Sequence, residues 1–422
     1  MVYPTKKDEA IIQCLTDDDF YKFLMCYLIH KKHPKVKVKF AFINRSPMIR
    51  LADCVDKGRL REELEEVRRL RFTTQELHYL RGMYEYGTRE MFDDDYRKFL
   101  QNLQLPDFNL ETRNGQIILE FSGAWAETTL WETKPMKIIS QLYYENLTKG
   151  CSRFEKELIW AEGQRRLGEK VKKIKSRPDY TFSDFGTRRS YSTAWHDYLV
   201  RTFAEEFPVS VGGESHPQFR GTSNTMLAMR YGVTPMGTNA HELPMVYSGI
   251  YHKEDDAAGK LISQLKVIED WWETYGEALS ILLPDTFTSK YFFEEIITRE
   301  ILERSKGSRQ DSGDPGIYIL NRVANYQAIE VDPRSKVVIC ADEQNVDKGF
   351  ALLDQYGKQV GLTFGPGSDF TNDMGFKRLN IVVKVIEANG YPVAKISDDE
   401  GKITGSNKAF TRLLDFINHT NR

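Results

Sequence analysis

The sequence predicts an α/β protein, with an N-terminal α+β domain followed by an irregular (β/α) barrel-like domain. Three observations lead there. From about residue 180, short apolar segments end in Gly, Ser, Thr or Asp and are followed by helical patterns, as at 279–283 before Asp285, 337–340 before Asp342 and 361–364 before Gly365. That rhythm of strand, polar loop and helix belongs to parallel βα units. Before residue 150 the texture is different, with strands that alternate in polarity set among helices. No Pro/Gly/Ser-rich linker separates the two halves of the 422 residues, although Pro178-Asp179 marks a joint. We place the N-terminal domain at 1–150, completed by the C-terminal segment 370–422, and the barrel-like catalytic domain at 151–370.

Taken in order, residues 18–33 read as a helix with Phe20, Phe23, Leu24, Tyr27 and Leu28 on one face. Residues 36–43 begin in strict alternation and read as a strand. Residues 59–71 place Leu60, Leu64, Val67 and Leu70 among charges of both signs, the pattern of a solvated amphipathic helix. Strands are expected at 116–122 and 127–131, then a helix over 135–148. A long charged helix follows at 152–174, carrying Phe154, Leu158, Ala161, Leu167, Val171 and Ile174. Another is expected from about 190.

Lys and Arg total 59 against 61 Asp and Glu, a net charge of −2. Such a balance lacks the basic excess of a nucleic-acid-binding protein. The five cysteines are widely spaced with no Cys-x-x-Cys, which favours a reducing compartment over a disulfide framework or zinc site. No apolar run reaches membrane-spanning length and the first residues lack the apolar core of a signal peptide, so a cytoplasmic protein is expected.

Five dense motifs carry the chemistry. Gly365-Pro366-Gly367-Ser368 follows an apolar strand, where glycines let backbone N–H groups close around a phosphate; a plain β-turn would use the same residues. Arg309-Gln310-Asp311-Ser312-Gly313-Asp314-Pro315 packs a guanidinium, two carboxylates and a hydroxyl into one turn, suited to ribose hydroxyls or hydrated Mg²⁺, or to a simple Asx turn. Asp285-Thr286 reads similarly. Phe185-Gly186-Thr187-Arg188-Arg189 sets an aromatic ring beside two fixed positive charges, as a planar anion requires. Gly221-Thr222-Ser223-Asn224 is the fourth. In the fifth, Gly237-Thr238-Asn239-Ala240-His241-Glu242, the acid after His241 is placed to orient an imidazolium.

In this order the motifs resemble those of the nicotinate phosphoribosyltransferase family. Thr16-Asp17-Asp18-Asp19-Phe20-Tyr21-Lys22 is similar to its opening signature, and the segment from Leu379 to Asp398, with Pro392-Val393-Ala394-Lys395-Ile396-Ser397-Asp398, to its C-terminal region. The resemblance covers about residues 10–415. It implies transfer of phosphoribose from phosphoribosyl pyrophosphate to the ring nitrogen of nicotinate, in salvage of NAD. It also implies coupling to ATP through a phosphohistidine at His241, with Asp285, Asp311 and Glu242 as further catalytic groups. Phe185 would stack on the pyridine, and Tyr21 from a partner subunit would cover its other face, making a homodimer with shared sites. Arg188, Arg189 and Arg309 would meet the carboxylate and phosphates, while Asp285 and Asp311 hold ribose and Mg²⁺-linked groups. Thr222 and Ser223 would line the ring site, and Gly365, Gly367 and Ser368 would cradle the 5′-phosphate.

Related nicotinamide enzymes carry an acid at the Ser223 position. Like charges ~4 Å apart repel by roughly 4 kcal/mol at an effective dielectric of 20, so Ser223 favours the carboxylate-bearing ring. Two positions depart from the resemblance: Leu243-Pro244 stands where Trp is common, and Pro284 where Thr or Ser is usual. A quinolinate enzyme would need more basic residues for a second carboxylate and a decarboxylation without ATP, a ligand-binding scaffold would predict decay of the polar site residues, and a hydrolase with Asp311 and Asp314 as paired acids would leave the Gly-rich loop and His241 without roles.

Overall fold

In the computed structural model, the residues described are 9–85, 89–208, 218–258, 260–277 and 279–420. Two sheets organise them. The strands of the first are β1 (Lys37–Asn44), β2 (Phe108–Arg113), β3 (Gln116–Ala124), β10 (Ile381–Ala388) and β11 (Tyr391–Pro392); those of the second are β4 (Phe182–Asp184), β5 (Phe219–Thr222), β6 (Ile281–Leu282), β7 (Gly307–Gln310), β8 (Val337–Cys340) and β9 (Gly361–Phe364). The first sheet is antiparallel in the order β11-β10-β1-β3-β2. Its alternation is read from β1, where Val38, Phe40 and Phe42 turn inward. β10, from the C-terminal part of the chain, lies against β1 in the register Phe42↔Val383.

The second sheet is parallel, in the order β5-β4-β9-β8-β7-β6. This order is circular in sequence and interrupted between β5 and β6, which makes it an irregular barrel with one seam. The segment leading to His241 enters that seam. Thr222 N donates to Thr234 O at 3.2 Å, Met236 N donates to Thr222 O at 2.8 Å, and Pro235 bridges Thr222 in parallel. The polar loops after each strand therefore face one end, as in other parallel βα folds.

Helices α1 (Phe20–Lys32), α2 (Lys134–Leu147), α3 (Arg153–Lys175), α4 (Thr193–Glu206), α5 (Glu242–Ile250) and α6 (Ile262–Tyr275) cover the sheets. α3 starts where the sequence predicts, because Ser152 and Glu155 form a reciprocal capping box. The strand expected at 127–131 is instead helical: Trp125–Thr128 is an α-turn and Thr129–Trp131 a 3₁₀ turn. Its β-branched pair misleads, because Thr128, Thr129, Leu130 and Trp131 are all buried rather than alternately so. A two-faced burial cannot be served by a half-exposed strand. Trp131 stacks on Phe121 of β3 at 4.7 Å, and tertiary packing overrides propensity. Among the described residues no helix is long and apolar enough to cross a membrane.

The segment before α1 joins the two sheets. Phe20 N donates to Ser223 O at 2.6 Å and Thr225 N to Asp18 O at 2.9 Å. Asp17 pairs with Lys137 at 2.5 Å and Asp18 with Lys134, all four side chains being buried. These pairs fix the residues 17–21 at the mouth of β5.

Candidate active site

A pocket of ≈ 570 Å³ opens at the loop end of the parallel sheet, bounded by β10 and the residues 17–21. His241 lies on its wall with only 4% of its surface exposed. Its Nδ1 is 2.9 Å from Thr286 Oγ1, and its Nε2 is 2.9 Å from Asp311 Oδ2 and 3.0 Å from Lys395 Nζ. Nε2 thus meets one acceptor and one donor, while the hydroxyl at Nδ1 serves either way. The ring can exchange tautomers without losing its hydrogen bonds. Burial pushes the imidazole down to about 4, aided by Lys395 and opposed by Asp285 and Asp311. It is a neutral ring at pH 7, with a lone pair to offer. Asp311 faces the pocket; against the effect of burial, the His241 bond and the charges of Arg309 and Lys395 hold its carboxyl well below the usual range.

The opposite wall is built for a flat anion. Phe185 N donates to Pro366 O at 3.1 Å, and a Cβ on Gly365 would lie 2.3 Å from Phe185 Cδ2, so the ring needs glycine behind it. Likewise a Cβ on Gly237 would lie 2.9 Å from Tyr21 N, which lets the Gly237–His241 loop close onto Tyr21. Arg188 lies 5.7 Å from the Tyr21 ring centroid and its Nε is 3.2 Å from Asp19 Oδ2. Ser223 Oγ donates to Asp19 Oδ1 at 2.6 Å and lies 3.1 Å from Thr187 Oγ1. Among the described residues Arg189 has only Asn380 Oδ1 at 3.4 Å as a side-chain partner, and burial with the charges of Arg188 and Arg45 lowers it to about 10. The surplus positive charge on this wall therefore sits on Arg189 and Arg45, whose guanidinium donates to the Lys402 carbonyl at 2.9 Å.

Gly365, Gly367, Ser368 and Arg309 also line the pocket. Arg309 Nη1 donates to Asn239 O at 3.0 Å, tying β7 to the His241 loop. Ser368 opens a short helix, Ser368–Thr371, in which Phe370 N donates to Gly367 O at 3.0 Å.

Three sequence expectations change. Glu242 does not touch His241: one residue further along the helix it points into the core, where its oxygens accept from Lys22 Nζ at 2.5 Å, Trp125 Nε1 at 2.7 Å and Thr129 Oγ1 at 2.6 Å. Adjacent helical side chains diverge by about 100°, so sequence neighbours cannot share a face. Thr222 is buried and donates to Asp184 at 2.7 Å, which pairs with His196 at 2.6 Å; it supports the wall without lining it. Asp285 lies behind His241 at 3.6 Å, held by Lys395 and Ser312 at 2.8 and 2.7 Å, too deep to bind ribose. Tyr21 of the same chain also lines the pocket, next to the bridge Asp19↔Asn224.

Sequence reasoning missed Asp19, Arg45, Thr286 and Lys395 as site residues. Lys395 and Asp19 lay within quoted motifs, but only the fold sets Lys395 beside a histidine 154 positions away. Beside Ser223 the pocket carries an acid, Asp19, which Arg188 balances.

One cluster brings metal-ligating groups together: atoms of His241, Asp285 and Asp311 lie within 4.8 Å of one another. Lys395 already neutralises Asp285 there. The set suits Mg²⁺ arriving on a polyphosphate and meeting Asp311 at the pocket side, since Mg²⁺ prefers oxygen ligands and retains water.

Comparison with known proteins agrees with this architecture. Residues 180–417 match the nicotinate phosphoribosyltransferase family and residues 16–140 match the N-terminal domain of the same family. The structure is similar to nicotinate phosphoribosyltransferase from Vibrio cholerae, with 26% identity, a TM-score of 0.84, and coverage of 99% of this chain and 96% of that one. It is also similar to the enzyme from Porphyromonas gingivalis, with 25% identity, a TM-score of 0.81, and coverage of 98% and 100%. The chain belongs to the nicotinate phosphoribosyltransferase family.

Proposed function

We propose that this nicotinate phosphoribosyltransferase uses ATP through a phosphoryl group carried on His241, and holds nicotinate between Phe185 and Tyr21 with its carboxylate toward Arg189. In the transfer, the ring nitrogen's lone pair forms a bond to C1 of phosphoribosyl pyrophosphate as the C1–O bond breaks. The electron pair leaves with pyrophosphate, and no proton moves. The protein's task is therefore orientation and charge. Arg188, paired with Asp19, fixes the ring edge. Arg309 and Asp311 face the pyrophosphate, and Gly367 and Ser368 the 5′-phosphate. Mg²⁺ bound to the pyrophosphate supplies charge neutralisation.

The observation that carries the ATP reading is the neutral, pocket-facing imidazole of His241, flanked by Asp311, Thr286 and Lys395. Its lone pair attacks the γ-phosphorus; the N–P bond forms and the P–O bond to ADP breaks. The other nitrogen keeps its proton, and Lys395 offsets the new negative charge. The same reading takes the enzyme to be a homodimer in the cytoplasm, a reducing compartment with which its five free thiols accord. Sedimentation velocity at micromolar concentration tests the dimer.

The decisive test is pyrophosphate release with Mg²⁺, comparing nicotinate with nicotinamide, with and without ATP. Nicotinate-dependent release accelerated by ATP is expected. γ-labelled ATP should leave acid-labile label on the wild type and none on His241→Ala, which retains slow ATP-independent transfer. Full ATP stimulation in His241→Ala would remove the relay.

A further inference from the structure

Behind the Phe185 wall lie two buried groups that the transfer chemistry does not use, Asp184 and His196. Asp184 ends β4 and His196 sits in the first turn of α4; neither is exposed to solvent and neither lines the catalytic pocket. His196 Nε2 is 2.6 Å from Asp184 Oδ2. Against the effect of burial, His196, the Thr222 hydroxyl and the Gly186 amide hold the Asp184 carboxyl below its ordinary range. An ionised carboxylate only accepts hydrogen bonds, so Nε2 carries the proton in this contact. Among the described residues His196 Nδ1 has no partner, which leaves the bond to Asp184 as the ring's one polar contact.

Both sides of the ring site hang on this carboxylate. Oδ1 accepts from Gly186 N at 2.9 Å, in the turn between Phe185 and Arg188. Oδ2 also accepts from Thr222 Oγ1 at 2.7 Å, and the Asp184 carbonyl accepts from Ser223 N at 2.7 Å. Thr371 grips Gly186 from the other side: its Oγ1 donates to Gly186 O at 3.0 Å, and a Cβ on Gly186 would lie 2.2 Å from Thr371 Cγ2. Thr187 Oγ1 and Ser223 Oγ, 3.1 Å apart, close the circuit between the two sides.

Four buried acids brace this wall, and their partners differ. Asp17, Asp18 and Asp19 face the permanent cations Lys137, Lys134 and Arg188. Asp184 faces an imidazole. A lysine there would supply charge through rotatable donors. The imidazole offers a single N–H in a fixed direction, so it sets the orientation of the carboxylate. α4 follows directly on the segment that carries Arg188 and Arg189, and Ser192 caps it by accepting from Trp195 N at 3.1 Å. The chain that builds the wall thus turns back to brace it.

We propose that His196 and Asp184 are positioning residues for nicotinate: the Nε2–H of His196 orients the Asp184 carboxylate, which sets the spacing between the Phe185 turn and the Ser223 hydroxyl. This rests on nicotinate being held at that wall, as proposed. The pair then serves binding of the ring, while the phosphoribosyl end is held by other elements.

The test is steady-state kinetics of pyrophosphate release, varying nicotinate and phosphoribosyl pyrophosphate separately and omitting ATP so that the His241 relay plays no part. In His196→Leu, which keeps bulk and loses the donor, nicotinate KM is expected to rise by about tenfold or more. Its kcat and its KM for phosphoribosyl pyrophosphate should stay within about threefold of wild type. His196→Gln, whose amide N–H can stand near Nε2, should bring nicotinate KM back to within about threefold. Thr222→Val removes another donor to the same oxygen and should show the same selective rise; it decides the matter if the thermal melt shows that His196→Leu does not fold. An unmoved nicotinate KM in the folded variant, a matched loss in kcat and both KM values, or a Gln variant no better than the Leu variant would each overturn the positioning role. Phe185→Ala separates this from the reading beneath it. If its nicotinate KM is unmoved, the ring does not bind at this wall and that reading falls. If its KM rises while His196→Leu matches wild type, only the role of His196 and Asp184 falls.

Discussion

The two walls of the catalytic pocket handle charge in opposite ways. Around His241, each charged group faces a counterpart, with Lys395 against Asp285 and Asp311 against the imidazole and Arg309, so that a neutral ring is kept in deep burial. Around Phe185, one pair, Arg188 with Asp19, is balanced, and Arg189 and Arg45 are left over. A wall that must accept and release a phosphoryl group cannot carry a fixed surplus of charge. A wall that selects an anion needs one.

That contrast can be broken from behind. Glu242 accepts bonds from three donors, including the buried Lys22 ammonium. Glu242→Ala should lower stability by about 3–5 kcal/mol, because Lys22 keeps only Glu132 as a counter-charge and the buried Trp125 Nε1 and Thr129 Oγ1 lose their acceptor; the urea midpoint checks this, and a change within 1 kcal/mol would mean the network is redundant. On the selecting wall, Ser223→Asp would set a second carboxylate beside Asp19. By roughly 4 kcal/mol of repulsion at ~4 Å, nicotinate kcat/KM should fall by about three decades, and an unchanged value would separate this wall from selectivity. On the reacting wall, Arg309→Ala should cost about 10²–10³-fold in kcat/KM for pyrophosphate release, with most of the loss in kcat if the arginine acts in the transition state.

The smallest effect concerns pH. His241 titrates near 4 when folded, below its ordinary value of 6.5. Between those values the unfolded chain binds the extra proton, so this histidine's contribution is present above pH 6.5 and is lost as pH falls toward 4. Wild-type stability should therefore drop more steeply than that of His241→Gln over this interval. Parallel curves in chemical denaturation would place the imidazole in a more hydrated setting.

Local signals were legible in the sequence wherever structure follows from neighbours. β1 alternates as read, α3 has its capping box, and the Gly-rich loop follows β9. Two kinds of information were not. Helical rotation sends Glu242 away from His241, although the pair looks like a unit in the chain. Long-range closure brings Lys395 and Thr286 to His241 and Asp19 to Ser223, and no spacing rule encodes contacts across 154 or 204 residues. The helical turn at 125–131 was hidden for the same reason: its burial is decided by β3 and the segment around Glu242.

The pairing of β1 with β10 has a consequence during synthesis. Asn44 waits for Ile381 before its sheet has that neighbour. At about 5–20 residues per second, roughly 20–70 seconds separate the two strands at the ribosome. Throughout that interval one edge of β1 is exposed, a template for strands from other chains. Expression of this enzyme should thus depend on holding chaperones more than its final stability would imply, and slowing translation should increase aggregation, not relieve it.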